Sequence, residues 1–195
     1  MVSKIKIVFA TGNNHKIQEV NQIASGSGIE FIMPPKGFNP IEDGETFEQN
    51  SYIKAKDAAM LSNNMALADD SGLCVEALGG EPGIYSARYD STPQRRIDKL
   101  LSNLVPFGNR NAKFVCAMTL VDDKGNIIYQ VTGECMGKIA ENQAGVNGFG
   151  YDPIFIPDGY SETIAQMPEN LKNKISHRGN ALRMMIEFIS NNIMR

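Results

Sequence analysis

Histidine, cysteine and long apolar runs are scarce in this chain, and each scarcity closes off a class of function. There are two histidines, His15 and His177, so a zinc site built on histidine and cysteine is not expected. The three cysteines, Cys74, Cys116 and Cys135, make an odd count with no framework spacing. They read as free thiols of a reducing cytoplasm, with Cys116 and Cys135 able to face each other across a predicted hairpin. No run approaches a membrane span, and the apolar stretch in the opening "MVSKIKIVFATG" is too short for a signal peptide. Positive charge is not in excess: 19 Lys and Arg stand against 22 Asp and Glu, for a net charge of −3. That argues against duplex nucleic acid as a partner, although a local cluster of cations can still hold a small anion. Repeats, linkers and low-complexity tracts are also missing. The 195 residues, 42% hydrophobic and 21% charged, therefore suit one domain over 1–195, or two closely merged lobes.

What is present alternates between strand and helix signals. "KIKIVFA" (4–10) is rich in β-branched residues and predicts a strand. "TGNN" follows as a loop, and Ile17, Val20 and Ile23 at helical spacing predict a helix over 14–24. "IEFIMP" (29–34) predicts a second strand. Thr46 is a candidate cap for a helix over about 47–62, with Phe47, Ala55, Ala58 and Leu61 on or near its buried face. "MALA" (65–68) predicts a short buried strand that ends at Asp69 and Asp70. Thr92-Pro93 opens another helix, and "AKFVCAMTLV" and "IIYQVTGECMG" form a hairpin through "DDKGN". A glycine-rich loop, the short strand "PIFIP" and two terminal helical segments complete an α/β pattern. The last helix carries Leu182, Met185, Ile186 and Ile189 on one face.

Four stretches have chemical potential, each beside a plainer alternative. "TGNNHK" (11–16) lies between strand and helix, where backbone N–H groups and Lys16 suit an anion. It also fits a capped helix start with a solvated lysine, and it is not the G-x-x-x-x-G-K-[ST] phosphate loop. Glu42, Asp69 and Asp70 are hard oxygen ligands suited to Mg²⁺ beside a phosphate, but "DDSG" is also ordinary turn sequence. "GFGYDP" (148–153) lets backbone approach a flat ring and offers Phe149 for stacking, or else anchors one buried aromatic. In "KNKISHRGNAL", His177 and Arg178 sit in a first helical turn, where positive charge is unfavourable to the dipole. That placement suits either a ligand or a solvated helix end. Lys54 by itself reads as a surface residue, and Arg88 as an anchor for its own loop.

In this order and over residues 5–190, "TGNNHK", "DDSGL…LGGEPGIYSARY", "GFGYDP" and "KNKISHRGNAL" resemble the noncanonical purine nucleoside triphosphate pyrophosphatase family, the dITP/ITP/XTP pyrophosphatases. The resemblance implies an elongated, curved mixed β-sheet with flanking helices, in two lobes around a central cleft. It implies a cytoplasmic homodimer that uses Mg²⁺ to split ITP, dITP or XTP into monophosphate and pyrophosphate, with no nucleic-acid or membrane partner. By the same resemblance Thr11, Gly12, Asn13, Asn14, His15 and Lys16 hold the triphosphate. Glu42 and Asp70 hold the metal, with Asp70 also the base. Lys54 and Ser71 line the nucleotide. Phe149, Gly150, Tyr151, Asp152, Lys172, His177 and Arg178 form the base and sugar pocket, Arg178 offering donors to a 6-oxo group. One departure is visible. Family members often read Glu-Asn-Ala where this chain reads Gln49-Asn50-Ser51, which removes a carboxylate from the start of that helix.

Overall fold

A computed structural model of the chain describes residues 4–194. Its elements run β1 (Ile5–Phe9), α1 (Asn14–Ile23), β2 (Ile29–Ile32), α2 (Phe47–Ser62), β3 (Ala66–Val75), α3 (Pro93–Leu104), β4 (Asn111–Val121), β5 (Ile127–Ile139), β6 (Phe155–Pro157), α4 (Glu169–Ile175) and α5 (His177–Asn192). The strands form one six-stranded sheet in the order β2-β1-β3-β4-β5-β6. The sheet is mixed. β1 runs parallel to β2, with Ile7 opposite Phe31, and parallel to β3, with Val8 opposite Ala66. β6 runs antiparallel to β5, with Ile156 opposite Lys138. This is the mixed sheet with flanking helices that the sequence implied.

The residues group into two compact units. The first holds the described residues up to 70, with 116–133 and those from 178 on; the second holds 71–115 and 134–177. In the first unit β1 is covered on both faces. Ile7 and Phe9 join Val20 and Ala24 of α1 and Leu182, Met185 and Ile189 of α5. Val8 and the following Ala10 join Ala55, Ala58 and Ala59 of α2. The three alanines give α2 a small apolar surface against the strand. Leu61, expected on or near that face, is instead 42% exposed. The second unit has its own core, which includes Leu73, Leu100, Phe114, Ile154 and Phe155.

Helix starts follow the local signals. Thr46 accepts from the Gln49 amide, Thr92 from the Arg95 amide, and Asn13 from the His15 amide. All three thiols are free, as expected, and Cys116 and Cys135 are buried among core side chains. One expectation fails. The strand expected to end at Ala68 continues through both aspartates to Val75. Turn propensity loses at "DDSG" because this stretch is paired within the sheet and each aspartate finds cations on its own face.

Candidate active site

Successive side chains of a strand point to opposite faces of the sheet, and that alternation separates Asp69 from Asp70. Leu67 belongs to the cluster shared with α1 and α5, whereas Ala66 and Ala68 belong to the cluster shared with α2. Asp69 accordingly faces Lys16 of α1 and Arg178 of α5. Asp70 faces Lys54 of α2.

On the first face, Lys16 Nζ donates to both Asp69 oxygens at 3.0 Å. Arg178 donates to Asp69 Oδ2 from Nη2 at 3.0 Å and from Nε at 3.2 Å, and its Nη1 donates to Glu19 Oε2 at 2.8 Å. Asp69 and Arg178 are each 1% exposed. Burial would raise the Asp69 pKa, but the charges of Lys16, Arg178 and Lys54 outweigh it and hold the carboxyl well below the usual carboxylate range. Arg178 thus makes ion-pair hydrogen bonds from all three of its nitrogens. Its guanidinium is the centre of a buried charge cluster.

On the second face, Lys54 Nζ donates to Asp70 Oδ1 at 2.7 Å and to Glu42 Oε2 at 2.8 Å. Lys54 is buried in spite of its helical surface pattern. Burial acts to lower its pKa, but Asp70, Asp69 and Glu42 outweigh that and keep it charged. Burial pushes the Asp70 carboxyl up, with Lys54 opposing. The other oxygen, Asp70 Oδ2, is buried and has no hydrogen-bond partner. A carboxylate oxygen in that state is costly unless something binds it. Two carboxylates gathered on one ammonium, one with a partnerless oxygen, are a donor set suited to a hard cation such as Mg²⁺. Among the described residues no group of three or more His, Cys, Asp or Glu is arranged to hold an ion. Mg²⁺ needs only one or two protein carboxylates when phosphate and water supply the rest.

The 11–16 loop lies at the start of α1. Thr11 is buried, and its hydroxyl accepts from the Asn13 amide at 3.1 Å, while Gly12, Asn13, Asn14 and His15 are exposed. Nothing lies within 4 Å of where a Gly12 side chain would project. The Lys16 ammonium has three N–H groups and gives two to Asp69, which leaves one for an incoming anion.

The remaining sequence-predicted residues belong to the second unit. Ser71 follows Asp70 in β3 and is half-buried. Asp152 Oδ2 accepts from Lys172 Nζ and from the Phe149 amide, both at 2.9 Å. This closes the 148–152 loop. Gly148, at φ +75°, has no room for a side chain, since a Cβ would stand 2.1 Å from Asp152 Oδ2. Gly150 also takes a positive φ, of 62°. Phe149 is 39% exposed, with the Lys172 ammonium 4.5 Å from its ring centre. Tyr151 is buried and donates its hydroxyl to the Ser86 carbonyl at 3.0 Å. His177 stacks on Phe114 at 4.7 Å and 13°. Arg88 lies over the Tyr85 ring at 5.2 Å, as a loop anchor would.

Sequence reasoning left Glu19 and Asn50 without a role. Glu19 sits three residues after Lys16, a spacing that puts both on one side of α1, and that signal was available. Asn50 had no local signal, because its partner is a loop amide.

The Ham1 family model matches residues 7–188. The chain belongs to the Ham1 family. Among its relatives, a dITP/XTP pyrophosphatase from Prochlorococcus marinus (strain NATL1A) is 45% identical over 185 residues, which cover 95% of this chain and 94% of that protein. The fold is similar to the Ham1 protein of Staphylococcus aureus, with a TM-score of 0.86, 38% identity, and 95% of this chain and 98% of that one covered. The Ham1 protein of Coxiella burnetii gives a TM-score of 0.85 at 35% identity, covering 96% and 99%. The Ham1 match takes in every candidate site residue named above.

Proposed function

We propose that this chain is a Mg²⁺-dependent nucleoside triphosphate pyrophosphatase that splits ITP, dITP and XTP into the monophosphate and pyrophosphate, and so clears deaminated purines from the nucleotide pool. The hydrolase class rests on membership of the Ham1 family and on relatives named dITP/XTP pyrophosphatase. The observation that carries the mechanism is the buried, partnerless Oδ2 of Asp70, beside Glu42 and on the same lysine.

Glu42 and Asp70 would hold Mg²⁺, which when bound supplies neutralisation of phosphate charge. Asp70 orients the attacking water and takes its proton. Burial favours this second task by raising the basicity of the carboxylate. Lys54 keeps the two carboxylates together and offsets their repulsion. Lys16 and the amides of the 11–16 loop receive phosphate oxygens, and Asp69 holds Lys16 in place through a bidentate ion pair. Phe149, whose ring is partly open, is the candidate stacking surface for the base. Backbone N–H groups of the 149–152 loop are candidate donors to a 6-oxo group, for which adenine would present an amino group instead. No helix among the described residues is long and apolar enough to cross a membrane. We also propose that the enzyme works as a homodimer in the cytoplasm.

Initial rates of pyrophosphate release from ITP, XTP, GTP and ATP, with and without Mg²⁺, test this function. Sites that hydrogen-bond a substrate group discriminate by as much as about 10⁴. ITP and XTP should therefore exceed ATP in kcat/KM by at least about 10², a cautious share of that range. Similar kcat/KM for ITP and ATP would overturn the base selection. Full activity after chelation would overturn the metal.

A further inference from the structure

Glu42 lies on the long connection between β2 and α2, a segment with no regular structure of its own, yet its carboxylate must meet Asp70. What places it is the first turn of α2. Asn50 is 1% exposed and its Oδ1 accepts from the Gly44 amide at 2.9 Å. Gln49 Oε1 accepts from the Glu45 amide at 2.7 Å. Two successive loop amides are thus held by two successive helix side chains. The approach is close: a Cβ on Gly44 would stand 2.8 Å from Asn50 Oδ1, 2.8 Å from Gln49 Cβ and 3.0 Å from the Asn50 nitrogen. Lys54 lies one helical turn beyond Asn50 on the same buried face and holds the Glu42 carboxylate itself. Helix α2 therefore grips the loop backbone at Gly44 and the loop carboxylate at Glu42, two residues apart.

We propose that Asn50 is a positioning residue for the cation site: its amide oxygen, docked on the Gly44 amide, holds Glu42 at the distance from Asp70 that a divalent cation requires. Gly44 is the necessary partner, because only a residue without a side chain fits against Asn50. The exposed Gln49 does the same for Glu45 with the oxygen of a neutral amide. The inference rests on the reading of Glu42 and Asp70 as metal ligands.

The test is Mn²⁺ binding to the metal-stripped, substrate-free protein, read from the electron paramagnetic resonance signal of free Mn²⁺. Alongside it, the Mg²⁺ dependence of kcat is measured. Asn50→Leu keeps the shape and removes the acceptor. Loss of one docking hydrogen bond should weaken Mn²⁺ binding about five- to tenfold. At saturating Mg²⁺ kcat should return to near the wild-type value, a recovery that general damage to the fold would not show. Asn50→Asp keeps the acceptor and should bind Mn²⁺ at least as well as wild type. Gly44→Ala pushes the same contact apart from the loop side and should weaken binding as Asn50→Leu does; it decides the matter if Asn50→Leu fails to fold. Wild-type Mn²⁺ affinity in both Asn50→Leu and Gly44→Ala would overturn the inference and leave the proposed function standing. Equal loss in Asn50→Asp and Asn50→Leu would overturn it too. Absence of Mn²⁺ binding by the wild-type protein would overturn both the inference and the metal reading beneath it.

Discussion

Replacing each of the neighbouring aspartates by asparagine should produce opposite phenotypes. Asp69→Asn keeps shape but removes the charge that Arg178 and Lys16 share. Arg178 cannot shed its proton, so a buried cation loses the Asp69 carboxylate and keeps that of Glu19. Breaking a buried ion pair from one side costs about 3–5 kcal/mol. For a chain of this length each kcal/mol moves the melting midpoint by roughly 2–4 °C, so a fall of roughly 6–20 °C is expected. Asp70→Asn also loses a charge-assisted bond, from Lys54 at 2.7 Å. But Lys54 keeps Glu42, and the lost charge was one that burial disfavoured. Its net stability change should stay near one ordinary hydrogen bond, about 1 kcal/mol. Turnover should fall by about 10²–10⁴, the usual worth of a general base. Thermal melts followed by circular dichroism and single-turnover rates separate the two effects. Acid adds a further check. Asp69 is held below its unfolded value, so its contribution is full above about pH 4 and is lost as the pH falls toward its lowered native value. Asp69→Asn should lack that part of the acid limb. If the two variants melt alike, or Asp69→Asn melts with wild type, the division of labour argued from strand alternation is wrong.

Mg²⁺ should activate and Ca²⁺ should serve poorly, because Ca²⁺ prefers longer and more numerous oxygen bonds than Glu42 and Asp70 supply; rates across a metal series check this. Burial pushes the Cys135 thiol up to about 11, so alkylation of the native protein at pH 8 should be slow at Cys135 and fast only after denaturation, as peptide mapping by mass spectrometry would show. The unfolded chain ionises this thiol first, so stability should decline between about pH 8.5, the unperturbed thiol value, and the native one. Cys135→Ser should flatten that decline. Tyr151→Phe removes the hydroxyl bonded to the Ser86 carbonyl and should cost about 1 kcal/mol in chemical denaturation; an unchanged midpoint would deny that hydroxyl an anchoring role.

Much of the fold was legible because its signals are local. Thr46, Thr92 and Asn13 cap helices within three residues of themselves, and "DDKGN" turns a hairpin whose strands carry their own β-branched residues. The candidate residues were legible only through a resemblance of motifs; the residues alone left each stretch with two readings. What the sequence determined by itself was the α/β order, the helix starts and the presence of acids, lysines and glycines suited to a phosphate and a cation. Only the tertiary structure decided their partners. Lys16 meets Asp69 across 53 positions, and Arg178 meets Asp69 across 109 and Glu19 across 159. A turn-like "DDSG" became strand because those distant cations stabilise its carboxylates, and a lysine with a surface pattern became buried because two acids surround it. Charge pairing depends on distance in space and on exclusion of water, and neither quantity is written in the order of residues along a chain.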